Sequence, residues 1–134
     1  MLRCFRRTMG CVVLVGAAFG AVAQTGVPSA QRFPDVVAVQ VRAGGAETYD
    51  FDVTISSPYD TPRRYADAFR VTGKDGKVFG ERKLLHDHAD EQPFTRDLHG
   101  VVIPRGVRAI VVQARDQQFG YGGKSVEVVL PDRR

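Results

Sequence analysis

The sequence predicts an all-β fold: an antiparallel β-sandwich of about seven strands, immunoglobulin-like or fibronectin-type. Three observations carry that prediction. Short runs rich in β-branched and aromatic residues recur at roughly 8–12-residue spacing. Several of them alternate apolar and polar residues with the period of 2 that marks a half-buried strand. Glycine, proline and Asp-Gly punctuate them, and no segment carries a convincing helical period. The chain has 134 residues, which fits one domain.

The elements follow in order. Val36–Val41 is short and β-branched and reads as a first strand, broken by Gly44-Gly45. Thr48 to Ile55 sets Tyr49, Phe51, Val53 and Ile55 on one face, against Asp50, Asp52 and Thr54. Ser56 to Arg64, with Pro58 and Pro62, is a loop. Tyr65 to Thr72 alternates again. Ala66 and Ala68 favour helix there, but Asp75-Gly76 follows between apolar runs and favours a hairpin returning through Val78 to Leu85. Gln92 to Gly100 continues through Val101–Ile103 to a turn at Pro104-Arg105-Gly106. Val107 to Arg115, centred on Ile110-Val111-Val112, suits a central strand. Asp116 to Gly123 reads as a glycine-bearing loop, and Ser125 to Leu130 closes the domain before Pro131. The cysteine pair and core tryptophan of antibody domains are absent, so strand spacing carries the prediction.

The first residues read as an export signal. Arg3, Arg6 and Arg7 precede an apolar run from Cys11 to Ala23, too short for the ~20 residues a spanning helix needs. Ala21-Val22-Ala23 is the small-residue pattern of a cleavage site, so residues 1–23 are expected to be removed after Ala23. Residues 24–34 then form a flexible lead-in and residues 35–131 the sandwich. Removal takes the 19 basic residues to 16 against 15 acids, a net charge of +1 in place of +4. The basic pI therefore reports the signal, and neither nucleic acid nor an anionic membrane is expected as partner. Cys4 and Cys11 both precede the cut, which leaves no disulfide and no thiolate ligand or nucleophile. A lipoprotein cysteine follows the apolar run, whereas Cys11 opens it. The expectation is a soluble periplasmic or secreted chain with no stable membrane insertion after cleavage.

Chemistry concentrates in Leu84 to Arg96. In extended chain His86 and His88 point to one side, so both imidazoles can face a single Cu²⁺ or Zn²⁺, with Glu91, Asp87 or Asp90 adding oxygen. If Val78–Leu85 and Phe94–Gly100 pair as a hairpin, His86 stands opposite Phe94. His99 then lies ~17 Å further along, at ~3.4 Å per residue, outside the site. The competing reading makes residues 86–91 a polar loop fixed by ion pairs to Arg96 and by hydrogen bonds from Gln92 to backbone. No cofactor other than copper or zinc is implied. Phe119-Gly120-Tyr121-Gly122-Gly123-Lys124-Ser125 lacks the first glycine of a phosphate loop and leads into a strand, so it reads as a turn. Its Phe119 and Tyr121 are either packing anchors or an aromatic contact surface. Tyr59 and Arg63, on a loop stiffened by two prolines, supply recognition chemistry.

Catalysis finds little support: G-x-S-x-G is absent, and no pair of carboxylates is set apart for acid and base roles. The stretch Leu85 to Arg96 (H-x-H-x-x-E-Q-P-F-T-R), with Ile103–Val107 and Gly120–Lys124, resembles a group of small exported bacterial proteins of unassigned function. The resemblance covers roughly Tyr65 to Pro131 and implies an export signal ahead of a β-rich domain. Three functions stay open at this point: a non-enzymatic module binding an unknown protein or small ligand through its loops, a copper or zinc binder using His86 and His88, and an unrecognised hydrolase.

Overall fold

The computed structural model describes residues 30–133. The expected signal peptide (residues 1–23), its cleavage after Ala23, and residues 24–29 of the expected lead-in lie outside them. Seven strands follow in order: β1 (Asp35–Ala43), β2 (Thr48–Ser56), β3 (Ala66–Thr72), β4 (Val78–Lys83), β5 (Phe94–Val102), β6 (Ala109–Asp116) and β7 (Gly120–Val129). They form a three-stranded sheet, β1-β2-β5, and a four-stranded sheet, β4-β3-β6-β7. Every pairing is antiparallel. The fourth strand lies beside the third, the fibronectin-type arrangement; in the immunoglobulin constant arrangement it joins the other sheet. Among the described residues no helix is long and apolar enough to cross a membrane.

The alternating residues meet between the sheets. Phe51, Val53 and Ile55 of β2 and Phe94 and Val101 of β5 pack against Phe69 and Val71 of β3 and Ile110, Val112 and Ala114 of β6. All are at most 4% exposed, so the core is continuous without a disulfide. The helix alternative at residues 65–72 loses because Phe69 and Val71 are needed in this core, while Arg70 turns outward to Gln113 on β6.

Two expectations are corrected. β4 and β5 belong to different sheets, so residues 84–93 cross between sheets and do not close a hairpin. Arg82 of β4 spans that side of the sandwich, donating to the Asp97 carbonyl of β5 at 2.7 Å and pairing with its carboxylate. The glycine-bearing loop is also shorter than residues 116–123, because β7 begins at Gly120. The other open side explains this. Residues 33–35 lie against β7, where Asp35 Oδ1 accepts the Lys124 N–H at 2.8 Å. A Cβ on Gly122 would lie 2.4 Å from the Phe33 ring, and one on Gly123 (φ +75°) 2.2 Å from the Pro34 carbonyl oxygen. The glycines are there for close approach of a neighbouring segment.

Candidate functional site

The β2–β3 loop, the 84–93 crossover, the β6–β7 turn and residues 31–34 gather at one end of the sandwich. Three polar side chains, Asp60 and Asp116 buried and Gln92 half-buried, tie them together. Asp60, 4% exposed, accepts the Ala66 N–H through Oδ1 at 3.1 Å and the His88 N–H through Oδ2 at 3.0 Å. It therefore joins the β2–β3 loop to the crossover. Gln92 repeats the connection: Oε1 accepts the Ser57 N–H at 2.8 Å, and Nε2 donates to Ser57 Oγ at 3.2 Å and to the His88 carbonyl at 3.0 Å. Buried polar groups stabilise a fold only when satisfied in this way.

Asp116, at the end of β6 and fully buried, is the third. Its carboxylate accepts the N–H groups of Gln118 and Phe119, each at 2.8 Å, and Arg64 Nε at 3.1 Å. Burial alone would raise its pKa, but the Tyr59 hydroxyl, these N–H groups and Arg64 hold it below the usual carboxylate range. Arg64 also donates to the Arg32 carbonyl at 2.6 Å. Its guanidinium stacks 4.2 Å from the Tyr59 ring centre and 4.9 Å from that of Phe119. The Tyr59 pKa is raised, first by burial and then by Asp116. Phe33 meets Phe119 edge-on, ring centres 6.2 Å apart.

The four residues expected to form a contact surface therefore divide. Tyr59 and Phe119 enclose Arg64, though Phe119 keeps 43% of its surface exposed. Arg63 is exposed at the tip of the tight Thr61–Arg64 turn. Tyr121, just after the β6–β7 turn, turns onto the outer face of the four-stranded sheet. There its hydroxyl donates to Glu81 at 2.7 Å and Arg70 sits 3.8 Å from the ring centre.

The histidine pair lies on the crossover. His88 is 5% exposed and stacks on Phe94, ring centres 3.9 Å apart and planes 10° from parallel. His86 is exposed, its ring centre 4.8 Å from that of His88. Burial lowers the pKa of His88, followed by Arg96 and His86, and favours the neutral ring. Its Nδ1 is buried without a hydrogen-bond partner. His86 Nδ1 lies 2.8 Å from the Asp87 carbonyl oxygen. Glu91 is held by Arg96 at 3.0 and 3.4 Å, which lowers its pKa. A cleft of about 260 Å³ is lined by residues 86–91 and Arg96. Among the described residues no three histidine, cysteine or acidic side chains are grouped to hold a metal ion. His99 sits elsewhere, its Nε2 2.5 Å from Asp97 and its Nδ1 3.5 Å from Asp50.

The framework roles of Ser57, Asp60, Arg64 and Asp116 are not visible in the sequence, which marks the 57–65 loop only as a stiff segment bearing tyrosines and arginines. An aspartate closing a strand three residues before an aromatic and four before a glycine is a turn signal that fits Asp116. Asp60 carries no local signal, because one of its partners, His88, is 28 residues away.

No protein-family model matches the chain, and no solved structure matches it. A protein of Halomicrobium mukohataei named "putative lipoprotein" is 36% identical over 97 residues, which are 72% of this chain and 47% of that protein. The chain thus spans about half the length of the curated relative it matches.

Proposed function

We propose that the chain is an exported, non-enzymatic β-sandwich module that binds a partner or ligand through the loops at one end. The observation that carries this is the polar framework of Asp60, Gln92 and Asp116, which fixes three loops and leaves Arg63 and Phe119 exposed above it. Preorganised loops lose little freedom on binding, and arginine and aromatic residues dominate recognition energetics. The lipoprotein name of the relative supports export, to the periplasm or beyond. The test is site-specific photocrosslinking in cells that make the protein. A probe at Phe119 should give one discrete adduct, insensitive to chelator and lost in Arg63→Glu. A probe at Gly106, at the other end, should give none. Equal labelling from both ends overturns the reading. Hydrolysis of any chromogenic ester, phosphate or glycoside by the purified chain would overturn the non-enzymatic part.

A further inference from the structure

We infer that the cleft beneath residues 86–91 is a copper(II) site, with His86 and His88 as its nitrogen ligands and Glu91 as an oxygen ligand released from Arg96. The inference is independent of the partner-binding reading. Four observations carry it. First, the two ring centres lie 4.8 Å apart. With metal–nitrogen bonds of roughly 2 Å, that separation suits two imidazoles in adjacent positions on one ion. Second, His86 Nδ1 faces the Asp87 carbonyl oxygen at 2.8 Å. That contact places the proton on Nδ1 and leaves the Nε2 lone pair free, the outer contact that orients metal-bound histidines. Third, His88 is 5% exposed, with its Nδ1 buried and without a partner. Fourth, the same cleft is lined by Asp87, Asp90 and Glu91.

The choice of ion follows from the number of ligands. A closed zinc site takes four protein ligands, and two imidazoles with one carboxylate fall short of that set. Two imidazoles with carboxylate and water oxygens form a mixed nitrogen–oxygen set, which copper(II) binds more tightly than the other divalent first-row ions and in tetragonal geometry. The Glu91–Arg96 pair stands in the way, but Glu91 is 57% exposed and such rim pairs are weak.

The experiment uses the untagged exported chain, copper(II) sulfate and zinc sulfate, with calorimetry and electron paramagnetic resonance. One equivalent of copper should bind at micromolar concentration with two imidazole nitrogens in the spectrum, and zinc more weakly. His86→Ala, at an exposed position that leaves the fold intact, should weaken copper at least ~10-fold, the scale of disturbed ligand environments. Arg96→Gln should tighten it, because Glu91 is then free. No uptake of copper at micromolar concentration overturns the site. So does uptake unchanged in His86→Ala, or uptake abolished by acetylating the N-terminal amine alone.

Discussion

Replacing Asp116 by alanine tests whether the loop end is held from within. The fully buried carboxylate receives two backbone N–H groups at 2.8 Å and the Arg64 guanidinium at 3.1 Å. Removing one partner of a buried ion pair destabilises by about 3–5 kcal/mol. Here Arg64 is 26% exposed and keeps the Arg32 carbonyl, and Gln118 and Phe119 lie at the surface, so water recovers part of the loss. The expected destabilisation is therefore about 3 kcal/mol, the low end of that range. For a domain near 100 residues this lowers Tm by roughly 12–24 °C, read by thermal or urea unfolding. The effect must also depend on pH. The folded pKa of Asp116 lies below its unfolded value. Its stabilisation is therefore full above about pH 4 and is lost as pH falls through the folded pKa. The gap between wild type and Asp116→Ala should stay constant from neutral pH to about 5 and narrow below 4. A loss under about 1 kcal/mol at pH 7, or a gap that widens in acid, refutes the argument.

Other substitutions separate the framework from the surface it supports. Asp60→Asn places an amide against at least one of two N–H donors; it should destabilise by about 1–3 kcal/mol and speed hydrogen exchange at Ala66 and His88 first. An unchanged His88 amide would sever the proposed link between the loops. Gly123→Ala forces a Cβ to 2.2 Å from the Pro34 carbonyl oxygen at positive φ; it should destabilise by at least about 1–3 kcal/mol and make residues 33–35 protease-sensitive. Arg63→Glu, at an exposed turn tip, should leave the unfolding free energy within about ±0.5 kcal/mol, as is typical of surface changes. A larger shift would mean that Arg63 is structural and unsuitable as a binding probe.

What the sequence displayed and what it hid divide by the range of the interaction. Alternation from Tyr49 to Ile55 and the Asp75-Gly76 turn are local patterns, and they locate strands whose inward residues form the core. The sheet to which β4 belongs is not local. A hairpin and an intersheet crossover both fit the ten residues 84–93 between the two strands, and the decision comes from long-range contacts. Arg82 finds Asp97 across the gap, and Gly80 lets Leu98 and Val101 approach a backbone that bears no Cβ. The same range limit applied to the histidines. Period 2 put His86 and His88 on one side of an extended chain, and the rings are indeed neighbours. Yet residues 86–93 are not a strand. The pair is together because Asp60 holds the His88 N–H, Gln92 holds its carbonyl, and Phe94 supplies a flat apolar face for its ring. These contacts also separate two roles within the pair. His88 is fixed by the fold whatever the cleft binds, so its loss would disturb structure and ligand together. His86 is exposed and held chiefly by the Asp87 carbonyl, so it can be removed with little structural consequence. A metal effect that follows His86 therefore reports chemistry, whereas one that follows His88 alone reports folding.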